Sequence, residues 1–264
     1  MKLRYTLDPS LKRQKIGEIH TRMGTLEACF IHEKDWPIVV QFLANEFGAN
    51  EPINHALVSL ELRPEDTIRG FEEQVETKWA PSNVSIIAIR NNELAGAIIN
   101  WIVPVDRSKK CEPAKIQSDY GELIKQMRSE IDDFTSNFPK VIGVIGDLEE
   151  SVPYYIPEDA DRFFRIDIIC VFMDFQGLGL AKFLWNLSLK IASDRGISPV
   201  ESICTAVATQ KIARSTGFNS VFQMPYNKVR ENGQYLFQTP LIDGSESAHL
   251  MIKNLHQSEN IQPC

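Results

Sequence analysis

Apolar and polar positions along this chain switch several times between alternation and a spacing of three to four residues, the periods of strands and of helices. Residues 26–32 (LEACFIH) predict a first strand. Asp35 then predicts the N-cap of a helix with Pro37 in its first turn, Val39, Phe42 and Leu43 on one face, and Gly48 as the stop. A second helix follows Pro64 through Phe71, Val75 and Trp79. Residues 85–90 and 94–103 predict a hairpin turned at Asn91-Asn92.

Helical spacing over residues 117–138 (Tyr120, Leu123, Met127, Ile131, Phe134) predicts an insertion between the third and fourth strands. Residues 164–172 (FRIDIICVF) are β-branched and aromatic, and make the clearest strand. Leu180, Phe183, Leu184, Leu187 and Ile191 then form a helix stripe that ends at Gly196. A strand over residues 200–207 and a short helix from Thr209 to Gly217-Phe218 come next. Two or three strands close the chain, with Glu231-Asn232-Gly233 as a turn, residues 249–255 last, and fraying expected after His256. No repeat or linker interrupts this alternation, which predicts one α/β (α+β) domain.

The 264 residues carry 28 Lys and Arg against 35 Asp and Glu, a formal net charge of −7. Nucleic-acid binding requires clustered cations, so an acidic chain with no long basic run predicts no such partner. The longest uncharged apolar run, residues 97–105 (AIINWIVPV), is too short to cross a bilayer, so no membrane partner is expected. The start, MKLRYTLDPSLKRQK, has no apolar core behind its basic residues, and a cytoplasmic protein is expected. The five cysteines (Cys29, Cys111, Cys170, Cys204, Cys264) form no C-x-x-C and the five histidines are scattered, so neither disulfides nor a metal site is predicted.

Between the clearest strand and the helix after it lies Gln176-Gly177-Leu178-Gly179-Leu180-Ala181. Two glycines let the backbone turn tightly and present successive N–H groups at a helix N-terminus, where a pyrophosphate can sit without any arginine. An ordinary strand-to-helix turn also needs glycine, and the loop alone favours neither reading. A Rossmann loop would need a small residue where Lys182 stands, and no Walker loop is present.

In order, the strand, Q-x-x-G-x-A, helix, strand, and short helix closing on Gly217-Phe218 resemble the GNAT superfamily of acyl-CoA-dependent N-acetyltransferases. Its [RQ]-x-x-G-x-[GA] pattern is met by Gln176, Gly179 and Ala181. The resemblance implies a central mixed, mostly antiparallel sheet of about seven strands flanked by helices, within one domain over residues 1–256. It places acceptor-side helices over about 35–80, the insertion over about 105–163, the acyl-CoA core over about 164–218, and a tail over 257–264. It also implies acetyl-CoA, with CoA as product. The loop Gln176, Gly177, Leu178, Gly179, Leu180 and Ala181 would hold its pyrophosphate, and Ile169, Cys170, Val171 and Phe172 would pair with pantetheine. Lys182 would meet a CoA phosphate or stand as a solvated charge.

A closer resemblance spans most of the chain. Phe47-Gly48-Ala49-Asn50-Glu51-Pro52-Ile53-Asn54 resembles the F-x-x-[DN]-E-P-[LI]-N signature of the invertebrate arylalkylamine N-acetyltransferases. Residues 226–237 and 249–255 are similar to that family's ending, except that Val229 replaces the second expected tyrosine. By this resemblance Glu51 is the base, acting through water, while Thr205 and Thr209 stand where the family has two serines that aid protonation and acceptor binding. Phe47, Pro52, His55 and Tyr226 would contact the acceptor. On position alone, Glu51 reads first as the cap of the helix begun by Pro52, a reading that the matched motif reverses. Thr209 as a helix cap and Thr205 as a strand residue stand level with their catalytic readings. His55, one turn from Glu51, is a base, an orienting partner or a surface residue.

Cys170 and Cys204 read as buried small hydrophobes, and Trp101 and Phe175 join Phe47 and Tyr226 as aromatics for an apolar pocket or the core. Ala213 stands where many GNAT enzymes carry a tyrosine acid. The expected activity is acetylation of the primary amine of an arylalkylamine (tryptamine, serotonin, dopamine, tyramine, octopamine) by direct attack on the thioester. The alternatives are a polyamine, amino-acid or xenobiotic acceptor, or a silent acyl-CoA-binding module. A polyamine pocket should carry several carboxylates, whereas an aryl pocket should be aromatic and mostly neutral.

Overall fold

The computed structural model describes residues 4–48, 50–58, 64–108, 111–130 and 137–255. The strands are β1 (Lys15–Thr21), β2 (Gly24–Phe30), β3 (Ile86–Arg90), β4 (Glu93–Pro104), β5 (Arg162–Val171), β6 (Val200–Cys204), β7 (Asn219–Pro225), β8 (Arg230–Glu231), β9 (Gln234–Tyr235) and β10 (Ser247–Lys253). The helices are α1 (Trp36–Phe42), α2 (Pro52–Val58), α3 (Pro64–Gln74), α4 (Ala80–Ser82), α5 (Gly121–Glu130), α6 (Phe138–Tyr155), α7 (Leu180–Asp194) and α8 (Val207–Ser215).

Eight strands form one sheet in the order β1-β2-β3-β4-β5-β6-β10-β7, antiparallel except between β5 and β6. This is one strand more than the seven expected. The helical insertion falls, as expected, between the strand after Asn91-Asn92 and the strand before the glycine loop, which the added strand makes the fourth and fifth. The added strand is the edge strand β1 (KIGEIHT), which buries no residue fully and so gives only a faint apolar pattern. β8 and β9 form a separate ribbon around the Asn232-Gly233 turn.

The insertion holds two helices where one was expected. α5 is described as far as Glu130, and α6 starts at Phe138, where the predicted helix should have ended, while Ile131 and Phe134 lie outside the described residues. Asp35 does not cap α1 through its side chain. It is buried, and Arg13 donates to both carboxylate oxygens at 2.6 and 2.7 Å. Ala49 and the residues after 255 lie outside the described residues.

The packing of β5 decides where the site lies. On one side of the sheet, Phe164 and Ile166 pack with Leu180, Leu184 and Trp185 of α7. On the other side, Ile168 and Cys170 pack with Val39 and Phe42 of α1, Phe71 of α3 and Trp79. Even-numbered residues of an unbroken strand share one face, so the strand changes face between Ile166 and Ile168. The β4–β5 register gives the cause: Ile99 pairs with Ile168 and Asn100 with Ile166, leaving Asp167 as the extra residue of a β-bulge.

On its other edge β5 is barely paired. Phe164 pairs with Val200 and Arg165 with Glu201, and there the parallel ladder stops, although β5 runs on to Val171 and β6 to Cys204. The sheet therefore forks open between the C-terminal ends of two neighbouring parallel strands.

Candidate active site

Two cavities meet in this fork. The larger, of about 530 Å3, runs between the free edge of β5, the glycine loop before α7 and the start of α8. The smaller, of about 230 Å3, is roofed by α6, whose Phe138, Val141, Ile142, Ile145 and Glu149 form one helical stripe, and walled by Phe71, Trp79 and Trp101. Phe47, Glu51, Ile166, Asp167, Ile203 and Thr205 line both cavities and mark their junction.

The glycine loop has the form of an anion cradle. Gly177 and Gly179 take φ of +70° and +80°, and an added Cβ at either would meet nothing within 4 Å, so the loop is open to a ligand. The amides of residues 177–182 find no acceptor among the described residues, as expected for the first turn of a helix. Gln176 ties the loop to the strand by donating from Nε2 to the Val171 carbonyl at 3.2 Å. Gln176, Gly177, Gly179, Leu180, Ala181 and the exposed Lys182 line the larger cavity together with Ile169, Cys170 and Val171. Leu178 instead packs against the α7 core, and Phe172 packs on Tyr5 and Phe175.

At the junction Thr205 Oγ1 donates to Glu51 Oε1 at 2.7 Å, and the Asn54 N–H donates to Oε2 at 2.8 Å. Glu51 thus caps α2 and also faces both cavities, so capping does not withdraw it from the junction. Burial raises its pKa above the ordinary carboxylate value, against the lowering pull of Thr205 and the α2 amides. Thr205 is held from behind by Tyr226, whose fully buried hydroxyl donates to the Thr205 carbonyl at 2.8 Å.

The remaining expected residues separate. Thr209 lines the larger cavity, but its hydroxyl donates to the Ala206 carbonyl at 2.9 Å, and it does not cap α8. That helix starts at Val207, whose N–H is capped by Asp243 Oδ2 at 2.7 Å. Pro52 lines the larger cavity and Phe47 both. His55 is exposed and Tyr226 lies behind Thr205, and neither lines either of these two cavities. Trp101 lines the smaller cavity and Phe175 the larger.

Sequence reasoning missed the charges of the smaller cavity. Four carboxylates (Glu51, Glu149, Asp167, Glu201) and two cations (Lys78, Arg165) share its lining with the aromatic residues. Arg165 donates from Nε to Glu201 Oε2 at 2.7 Å, and its Nη1 lies 2.8 Å from Glu149 Oε2. Burial still pushes Glu201 up to about 7 against that attraction. The cavity is therefore neither the neutral aromatic pocket nor the plain acidic one that sequence set against each other. Its roof had a signal available, the spacing of Phe138, Val141, Ile142 and Ile145.

No family model matches the sequence. Among solved structures, arylalkylamine N-acetyltransferase 2 from Aedes aegypti is similar at 25% identity and a TM-score of 0.68, covering 87% of this chain and 98% of that one. Mosquito arylalkylamine N-acetyltransferase like 5b is 16% identical with a TM-score of 0.66, over 87% of this chain and 100% of the other. The Drosophila melanogaster polyamine N-acetyltransferase that forms N-acetylagmatine is 14% identical with a TM-score of 0.61, again over 87% and 100%.

Proposed function

We propose, from the premise that this chain has the fold of the GNAT N-acetyltransferases, that it transfers an acetyl group from acetyl-CoA to the primary amine of an arylalkylamine. The observation that supports this best is the Glu51–Thr205 contact, set where the glycine-loop cavity joins the aromatic one. The open cradle of Gly177 and Gly179 fits a pyrophosphate, and the free edge of β5 fits an extended amide-bearing arm that adds as a strand would. When bound, acetyl-CoA supplies the activated thioester.

An alkylamine has a pKa near that of lysine, about 10, so it arrives as an ammonium and must lose a proton before it attacks. Glu51 takes that proton, and its raised pKa brings it nearer to a base suited to neutral pH. Thr205 fixes the carboxylate by its hydrogen bond, and its place in the lining of the larger cavity would set its hydroxyl near the thioester when acetyl-CoA is bound. The larger cavity contains one cysteine, Cys170, and burial pushes its thiol well up, which disfavours an acyl-enzyme. Direct transfer follows. His55 and Thr209 take no part in the proton transfer.

A second reading has its own support. The four carboxylates of the smaller cavity suit a polyamine. Thiol release from acetyl-CoA with purified protein and a panel of tyramine, serotonin, tryptamine, spermidine and agmatine separates the readings. Turnover confined to the aryl amines is the expected result. Turnover of spermidine or agmatine alone moves the substrate to the second reading, and no turnover at all overturns the activity.

A further inference from the structure

We propose that Asp167 is the carboxylate that receives the acceptor's ammonium group, as a counterion distinct from the base Glu51. This deepens the proposed activity and names the group that selects a cation at the junction. Four observations carry it.

Asp167 is the extra residue of the β4–β5 bulge, and bulges redirect side chains beside functional sites. An unbroken strand would place it in regular alternation with Arg165 and Ile169. The bulge instead sets it at the mouth of the fork, where it lines both cavities with Glu51 and Thr205. Its carboxylate is also held in place: Trp79 Nε1 donates to Oδ2 at 3.0 Å, and among the described residues no hydrogen bond reaches Oδ1. Trp79 is itself fixed by stacking on Trp36, with ring centroids 6.2 Å apart.

The charge balance then points to the ligand. Arg165 is engaged with Glu149 and Glu201. Lys78 lies over the Trp101 ring, 5.1 Å from its centroid. Glu51 and Asp167 remain as two carboxylates with neither an arginine nor a lysine in hydrogen-bonded contact among the described residues. Burial raises Asp167 above its ordinary value, with Glu149 adding to the rise and Arg165, Trp79 and Lys78 opposing it. Asp167 is a half-buried carboxylate with no cation in hydrogen-bonded contact among the described residues, and an ammonium at the junction supplies one. A neutral ligand of the same shape does not. The aromatic walls hold the rest of the molecule, and Asp167 holds its charged end.

The division of labour is also chemical. A counterion must stay ionised while the ammonium docks, whereas a base must change its protonation state. Two separate carboxylates allow both, and among the described residues Asp167 has no hydroxyl partner of the kind that Thr205 gives Glu51.

The test needs no turnover. Calorimetry with CoA present compares tyramine with tyrosol, in which a hydroxyl replaces the amine, and putrescine with 1,4-butanediol. The wild-type protein should bind at least one amine about 10- to 100-fold more tightly than its alcohol, the range of a hydrogen bond to a charged group. Asp167→Asn keeps an oxygen acceptor for Trp79 and should abolish that preference, leaving CoA affinity within about twofold; Glu51→Gln should retain it. Loss of the preference in Glu51→Gln with retention in Asp167→Asn would overturn the proposal. So would the absence of any amine–alcohol preference in the wild-type protein, a result that does not depend on Asp167→Asn folding. Because only binding is read, an inactive protein that still selects the amine through Asp167 would sink the proposed reaction and leave this inference standing.

Discussion

Thr205 has two separate jobs at the junction, a hydroxyl given to Glu51 and a carbonyl taken by Tyr226. Removing the hydroxyl alone isolates the first. Thr205→Val keeps the branched shape and strand preference of the side chain but leaves Glu51 Oε1 buried without its donor. A hydrogen bond to a charged group contributes about 1.5–3 kcal/mol, so kcat should fall by about 10- to 100-fold. Losing that bond also raises the Glu51 pKa further, because the Thr205 hydroxyl lowers it. The acidic limb of the pH–rate profile should therefore move to higher pH, and Thr205→Ser should restore both values. Unchanged kinetics in Thr205→Val would remove the hydroxyl from the mechanism.

Much of this residue-scale detail was legible in the sequence, because it rests on short motifs: the E-P pair at Glu51 and the threonine at the end of its strand. Thr209 and His55 were not resolved by spacing. A four-residue interval states that two side chains share a helical face, but Thr205 lies at the strand–helix junction before α8, and His55 sits on the exposed side of α2.

Among the elements, the glycine loop makes the sharpest prediction. Gly179 holds φ of +80°, a conformation that costs an L-residue roughly 1–2 kcal/mol. Gly179→Ala should lower thermal stability by about that amount and weaken CoA by at least about tenfold, since the new methyl enters the space the loop keeps open. Calorimetry with CoA and a melting curve give both numbers. CoA affinity equal to wild type would show that the loop is an ordinary turn.

The loop was readable because two glycines beside a helix start carry a backbone meaning. The bulge in β5 was not, since FRIDIICVF gives the same apolar alternation whether or not one residue slips out of register. Asp167, never singled out in the sequence, is the residue at which the strand changes face. α6 was missed for a related reason. Its sequence serves two apolar surfaces, the cavity roof and a separate core with Val144 and Leu148, which blurs a single helical stripe.

For the whole molecule, the order of strands matters more than any one of them. In this otherwise antiparallel sheet the one parallel pair parts where its ladder ends, and the parting sets the glycine-loop cavity and the smaller cavity on either side of Glu51 and Asp167. The topology thus brings Glu51, from the connection before α2, to Thr205, 154 positions away in the chain. No local pattern encodes that contact, and the motif resemblance named both residues for one site without pairing them. The net charge of −7 says little about the site. What matters is that two carboxylates, the buried Glu51 and the half-buried Asp167, face the junction of the two cavities.

The central claim is that Glu51 takes that proton, and the most direct measurement is kcat/KM for the amine against pH in wild type and Glu51→Gln. Burial raises the Glu51 pKa, so the wild-type rate should fall as pH drops through a value above the ordinary carboxylate range, and level off above it while the amine remains an ammonium. Glu51→Gln should lie about two to four decades lower and should rise steadily with pH, because only the free amine then reacts. A variant profile that overlays the wild type in height and shape would contradict the account.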